Sequence, residues 1–378
     1  MFRKEVKYSY NDIAICPAVL SEVRHRNECN VMDNKGFLPI FASPMTTVIN
    51  KDNYKTFEDN HIIPILPRSM NIPFSDRFTY ASQGKWAAFS LEEFNKYFCN
   101  DEIINGTTPY KVLIDIANGH MTELYRLVKK AKKLHGDNII VMVGNVANPK
   151  TYEECWRVGA DYVRLSIGSG FGCISSTQLG IHYGIVSLID ETYNIKKKIA
   201  ESRGLQFDSL PKIVADGGIR GYSDIIKALA VGADYVMVGS EFAKLIESAA
   251  RPFIYDKTDD TYRYLTDEEW ATLKEHDGVF SYFGEDNREH STTEMYKTFY
   301  GMASRQGQID MSGKKTKTSE GNIKTIRMNT DITKWVDNMT AYMRSAMSYL
   351  NLFDIKELNP KNVDTYLLSF NTKNSINH

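Results

Sequence analysis

A (β/α)8 TIM barrel, within the α/β class, is the fold this sequence predicts, and two observations carry it. The first is alternation: short apolar runs rich in β-branched residues are each followed by polar or glycine-rich residues and then a helical pattern, as in repeated βα units around a parallel sheet. Eight such runs occur, at 38–43, 62–66, 86–90, 111–116, 138–144, 161–167, 212–217 and 234–240. Eight units in roughly 250 residues is the size of such a barrel, and parallel strands buried on both faces read as continuously apolar. The second is an internal echo, GADYVRLSIG at 159–168 and GADYVMVGS at 232–240, each preceded by an amphipathic helix. Equivalent units of one barrel give such an echo. A doubly wound open sheet is the competing fold.

The barrel reading places function on one rim, because active sites of this fold sit at the C-terminal ends of the strands. Those ends read Ser43-Pro44-Met45, Pro67-Arg68-Ser69, Asp115-Ile116-Ala117-Asn118-Gly119, Gly144-Asn145, Gly168-Ser169-Gly170, Asp216-Gly217-Gly218 and Gly239-Ser240. Beyond the eighth run, residues 252–298 are polar and charged and read as an insertion with one helix-like piece. Residues 303–322 hold almost no apolar side chains and read as a mobile lid loop over the rim. The chain closes on a helical pattern in which Trp335, Met339, Met343 and Met347 form a core stripe. The whole, 1–378, reads as one barrel domain.

Composition narrows the function classes. With 378 residues and 42% hydrophobic content the chain can bury a large core. A net charge of -1, with both signs mixed along the chain, gives no basic face for nucleic acid. No apolar run has the length of a signal peptide or a membrane span, so the expectation is a soluble, cytoplasmic protein without a membrane partner. Five dispersed cysteines, Cys16, Cys29, Cys99, Cys155 and Cys173, support neither a disulfide framework nor a zinc site.

The chemistry concentrates after runs six to eight. Glycine-rich turns between strand and helix bind anions through backbone N–H groups, so Asp216-Gly217-Gly218 and Gly239-Ser240 are candidate phosphate turns, or plain strand caps. Asp216, an acceptor-only carboxylate, suits the vicinal hydroxyls of a ribose, and equally caps a turn. Cys173 lies in the loop GSGFGCISSTQLG (168–180), where a thiol is either exposed and activated or one more buried, inert cysteine. Ser175 stands two positions on, a candidate proton relay, and Glu320 on the lid is a candidate general acid or base.

These pieces together resemble the IMP dehydrogenase and GMP reductase family. The matching segments are YNDIAICP (10–17), ASPMTTV (42–48), DIANG (115–119), GNVANP (144–149), VRLSIGSGFGCIS (163–175), the long run 214–240, FYGM (299–302) and SEG (319–321). The resemblance covers most of the chain apart from about 40 residues of the insertion. It implies that Cys173 attacks C2 of a purine nucleotide and that Ser175 and Glu320 handle protons. It further implies that Asp216 holds the ribose, that Gly217, Gly218, Gly239 and Ser240 hold the phosphate, and that Met45 and the segment Gly301-Met302-Ala303 contact the substrate. Arg68 and Asp115, Ile116, Ala117 and Asn118 would face the nicotinamide cofactor, NADPH with NADH as the alternative. Potassium on the carbonyls of Gly168, Gly170 and Cys173 and a homotetramer are also implied.

DIANG, GNV and FYGM are similar to the reductase versions, and the segment from Ser304 to Glu320 is short and lacks the Arg-Tyr pair of dehydrogenases. The expected activity is therefore NADPH-dependent reductive deamination of GMP, or a close guanine nucleotide, to IMP. An NAD-dependent IMP dehydrogenase and a catalytically silent nucleotide-binding homologue are the alternatives. Several positions depart from the reductase pattern: Phe171 stands in place of a serine, Thr46 in place of an aspartate, Arg68 in place of a lysine, and Arg164 with Gly168-Ser169-Gly170 resembles the dehydrogenases.

Overall fold

The computed structural model describes residues 4–100, 108–169, 175–256, 261–275, 280–283, 289–292, 294–314, 318–319, 321–369 and 372. Eight parallel strands close into a barrel: Ile40–Ala42, Ile63–Leu66, Trp86–Phe89, Tyr110–Asp115, Ile139–Val146, Tyr162–Leu165, Lys212–Asp216 and Tyr235–Val238. Each falls on one of the eight apolar runs, with Tyr110–Asp115 beginning just before its run and Ile139–Val146 continuing past the end of its own. The ring shuts where the first strand pairs with the eighth, Phe41 opposite Met237, which removes the open-sheet alternative.

The strands are apolar throughout because both faces are covered. Side chains alternate across a strand, so Phe41, Ile65, Trp86, Leu113, Met142, Val214 and Met237 fill the barrel interior. Their neighbours Ile40, Ala42, Val112, Ile114, Val141 and Val143 pack outward against the helices. Inside the barrel, Phe41 meets Trp86 and Tyr162 edge to face at 5.7 and 6.1 Å. The helices start where the sequence supplies caps. Asn50 accepts from the amides of Asp52 and Asn53 to open Lys51–Asp59, and Ser90 with Glu93 forms a capping box for Leu91–Phe98.

The echoed GAD segments occupy equivalent places. Asp161 accepts the Val141 amide at 2.7 Å and pairs with Lys132, while Asp234 accepts the Ile213 amide at 2.7 Å and pairs with the buried Lys196. In both units an aspartate entering a strand is tied to the preceding strand and to a lysine of a neighbouring helix. The repetition is structural.

The insertion holds more regular structure than its composition suggests. Strands Pro252–Asp256, Thr261–Tyr264 and Met295–Tyr300 form an antiparallel sheet with Ile323–Arg327, and a hairpin pairs Phe280–Phe283 with Glu289–Thr292. Only the helix Asp267–Glu275 answers to the expected helical piece. The sheet has a small core of its own, Ile246, Ile254, Leu265, Met295 and Met328. It is fastened by Lys297, whose buried ammonium donates to the carbonyls of Leu245, Ile246 and Ser248 at 2.9 Å. So few apolar residues suffice because the fastening is polar.

The segment 303–322, expected as a mobile lid loop, holds regular structure. Arg305–Ser312 is a helix, capped by the fully buried Ser304, whose Oγ accepts the Gly307 amide at 3.1 Å. A Cβ at Gly307 would come within 2.6 Å of the Gly301 carbonyl oxygen and of Met302 Cα, so this helix packs backbone to backbone on the preceding segment. Close approach replaces the missing apolar side chains. The closing helix Ile332–Tyr349 buries Trp335, Met339, Met343 and Met347 as core. Among the described residues no helix is long and apolar enough to cross a membrane, and no group of three or more His, Cys, Asp or Glu residues is placed to hold a metal ion.

Candidate active site

A cavity of about 270 Å3 opens at the C-terminal ends of the strands. Its wall includes Met45, Arg68, Asp115, Ile116 and Ala117 from the first, second and fourth strand ends, and Gly168 from the sixth. Asp216, Gly217, Gly218, Gly239 and Ser240 line it from the seventh and eighth, and Gly301, Met302 and Ala303 close it from above. The described residues to which the sequence assigned a substrate or cofactor contact thus converge on one space, with one exception. Asn118 is exposed, and its side chain accepts the His120 amide at 3.1 Å in a local turn instead of lining the cavity. Gly170, Phe171, Cys173 and Glu320 lie outside the described residues, and of Ser175 only the backbone is described, at the start of the helix Ser175–Leu179. Of the three carbonyls assigned to potassium, Gly168 alone is therefore placed.

Charge on the floor is organised by Arg164. Its Nε donates to Asp216 Oδ2 at 2.9 Å and its Nη1 to Asp115 Oδ1 at 2.8 Å, with all three side chains nearly buried. Burial opposes the positive charge, but Asp216 and Asp115 outweigh it and hold the guanidinium pKa above its ordinary value. Asn145 donates to the same Asp216 oxygen at 2.8 Å. Both bonds fall on Oδ2, so Asp216, which lines the cavity, is fixed in orientation by them. Gly144 makes room for this arrangement, since a Cβ there would sit 2.5 Å from Arg164 Cβ.

Arg68 extends the network. It donates to the Asp115 carbonyl oxygen at 2.9 Å and approaches Asp115 Oδ2 at 3.5 Å. Its Nε is buried without a partner among the described residues, as is Ser169 Oγ on the sixth strand end. Buried donors without partners are costly and point to a polar ligand.

The opposite wall is built from backbone. Gly217 and Gly218 have φ of +82° and +77°, a left-handed pair that favours glycine strongly. Successive amides in such turns make concave anion sites. The amides of Gly218 and Ile219 donate to no described residue. Tyr10 packs beneath, its hydroxyl buried without a described partner and held protonated by burial, with Asp224 and Asp216 adding to the effect.

Sequence reasoning missed three parts of this site: the bridging role of Arg164, the support from Asn145, and Tyr10 below Gly218. The motif segments contain all three, but none announces a contact made between residues far apart in the chain, 49 positions or more. A wider, polar cleft of about 710 Å3 lies between the first two rim loops and the insertion sheet and contains none of the expected nucleotide or cofactor residues. The other cysteines are poor nucleophiles where they are buried: burial pushes Cys99 up to about 11 and Cys155 up to about 12.

Comparison with known proteins follows the same geometry. The family model described as IMP dehydrogenase / GMP reductase domain matches residues 110–266, which run from the fourth strand through the eighth and into the insertion. A GMP reductase of Staphylococcus epidermidis is 32% identical over 252 residues, covering 64% of this chain and 72% of the relative. The chain belongs to the IMP dehydrogenase and GMP reductase family. A GMP reductase of Staphylococcus aureus is 32% identical over 254 residues and one of Helicobacter pylori 29% over 252, again covering 64% of this chain and 72 to 73% of the relative. Membership makes the protein an oxidoreductase of GMP reductase type, and the cavity lies at the C-terminal strand ends, where enzymes with this barrel carry their active sites.

Proposed function

We propose that the protein reduces GMP, or a close guanine nucleotide, to IMP with NADPH and releases ammonia. The observation that carries this reading is the convergence on one cavity of the left-handed Gly217-Gly218 turn, Gly239-Ser240 and an Asp216 oriented by Arg164 and Asn145. Family membership supplies the reaction class, and relatives named GMP reductase supply its direction.

In this reading Gly217, Gly218, Gly239 and Ser240 take the phosphate, and Asp216 accepts from the ribose hydroxyls. Met45 and Gly301-Met302-Ala303 border the base. Arg68, Asp115, Ile116 and Ala117 face the nicotinamide, with Asn118 at the edge of the same rim loop. Arg68 Nε, without a partner among the described residues, fits a polar co-substrate there.

The Cys173 thiolate adds to C2, the bond from C2 to the exocyclic nitrogen breaks, and that nitrogen leaves as ammonia with protons delivered through Ser175 and Glu320. When bound, the reduced nicotinamide supplies the hydride that C2 takes as the thiolate departs. The sum is GMP, NADPH and two protons giving IMP, NADP+ and ammonium. Exclusion of water by the 301–312 wall would favour hydride transfer to C2 over hydrolysis of the cysteine adduct.

Replacing Cys173 tests the reading. Cys173→Ala is expected to abolish NADPH oxidation while GMP still raises the melting temperature. Turnover equal to the unaltered protein contradicts the covalent route, and stabilisation by GMP without turnover in the unaltered protein would leave a binding protein. Arg164, which resembles the dehydrogenases, favours one second reading, oxidation of IMP with NAD. IMP-dependent reduction of NAD would establish it.

A further inference from the structure

The wall over the cavity hangs on one carboxylate outside the cavity itself. Asp310 sits in the last turn of the helix Arg305–Ser312. Thr46 Oγ1, on the first rim loop, donates to its Oδ2 at 2.8 Å, and Tyr300 Oη, at the end of the strand Met295–Tyr300, donates to the same oxygen at 2.6 Å. Gln306 Nε2 donates to Oδ1 at 3.0 Å. The backbone takes part too, since the Met70 amide on the second rim loop donates to the Asp310 carbonyl oxygen at 2.8 Å.

Thr46 and Tyr300 reach this side chain from two other segments and Gln306 from its own helix, and hydrogen bonds to a carboxylate are stronger and more directional than neutral ones. Tyr300 is a dependable donor, because burial and then its bond to Asp310 hold the phenol protonated. The helix that Asp310 anchors carries Gln308 and Met311 into the cavity wall, and Gly307 lies against Gly301 and Met302. Thr46 Oγ1 is also 3.9 Å from Met302 Sδ.

We propose that Asp310 is a positioning residue that clamps the 301–312 wall to the first two rim loops, so that the substrate-facing segment Gly301-Met302-Ala303 is preformed. The functional half of this proposal rests on the guanine nucleotide reading. Its structural half does not.

Steady-state kinetics with GMP and NADPH, beside thermal unfolding and hydrogen–deuterium exchange, test it on Asp310→Asn. Asp310→Asn is expected to raise KM for GMP about tenfold with kcat changed far less, the split that lost preorganisation of a binding wall produces. Exchange over 301–312 should quicken at least about tenfold while protection of the barrel strands is unchanged. Unchanged KM and unchanged exchange in Asp310→Asn overturn the proposal. If the unaltered protein does not turn over GMP, the guanine nucleotide reading fails, and the exchange measurement still decides the clamp.

Discussion

The two sides of the cavity are built from different materials. On the side of strands seven and eight the chain presents backbone: left-handed Gly217 and Gly218, then Gly239 leading into Ser240, with hardly a side chain in the way. On the side of strands four to six it presents charge: Arg164 clasped between Asp115 and Asp216, with Arg68 and Asn145 at the edges. The backbone side is fixed by local conformation and is neutral until an anion arrives. The charged side is nearly closed on itself, and its groups hold one another in place before any ligand does. A nucleotide bound across both would meet a flexible-chemistry end that accepts phosphate and a rigid end that orients ribose.

That contrast is broken most severely at Arg164. Arg164→Met leaves two nearly buried carboxylates facing each other without their cation, and removal of one partner from such a network costs about 3 to 5 kcal/mol. Denaturant unfolding should show a loss of that order together with loss of turnover, whereas Arg164→Lys, keeping the charge but not the fork, should fall between. A fully stable Arg164→Met variant would mean that the network is incidental.

A smaller effect is expected across the cavity. Gly218→Ala forces a non-glycine residue into the left-handed region at φ of +77°, a strain of roughly 1 to 2 kcal/mol. The new Cβ would sit 3.4 Å from Tyr10 Cε2, so the barrel should survive. Calorimetric titration should show weaker binding of GMP but little change for guanosine, which lacks the phosphate. Equal weakening for both would remove the phosphate from this turn.

The smallest effect concerns titration on the charged side. His120 ties two rim loops together: the Ala147 amide donates to Nε2 at 3.1 Å, and Nδ1 lies 3.2 Å from Thr151 Oγ1. The amide bond requires an unprotonated Nε2, so the neutral ring carries its proton on Nδ1 and gives it to Thr151. Desolvation lowers the His120 pKa below its ordinary value even though part of the ring is exposed. As pH falls below about 6.5 the unfolded chain takes up the proton first, so stability drops in that window and is fully present above it. Melting temperatures from pH 7.5 to 5.5 should fall less steeply for His120→Gln than for the unaltered protein; parallel curves would exclude the tie.

The same contrast explains how much was legible in the sequence. The eight strands were readable because each is a short apolar run buried on both faces, and the rim glycines because they stand at strand ends where only backbone fits. Arg164 was visible as a residue but not as a bridge, since its partners lie 49 and 52 positions away and only barrel closure brings them together. The helix Arg305–Ser312 was hidden for a related reason: Gly307 nesting on Gly301 and the anchoring of Asp310 are contacts of tertiary structure, with no periodic apolar face to announce them. The insertion strands were obscured because their sheet is fastened by the polar contacts of Lys297 more than by an apolar stripe.

The central claim, that this cavity reduces a guanine nucleotide at C2, is tested most directly by counting ammonia against NADPH in one reaction with GMP. One ammonia released for each NADPH oxidised, with IMP as the nucleotide product, is the predicted result. NADPH left unchanged, while IMP drives reduction of NAD without ammonia, would contradict it.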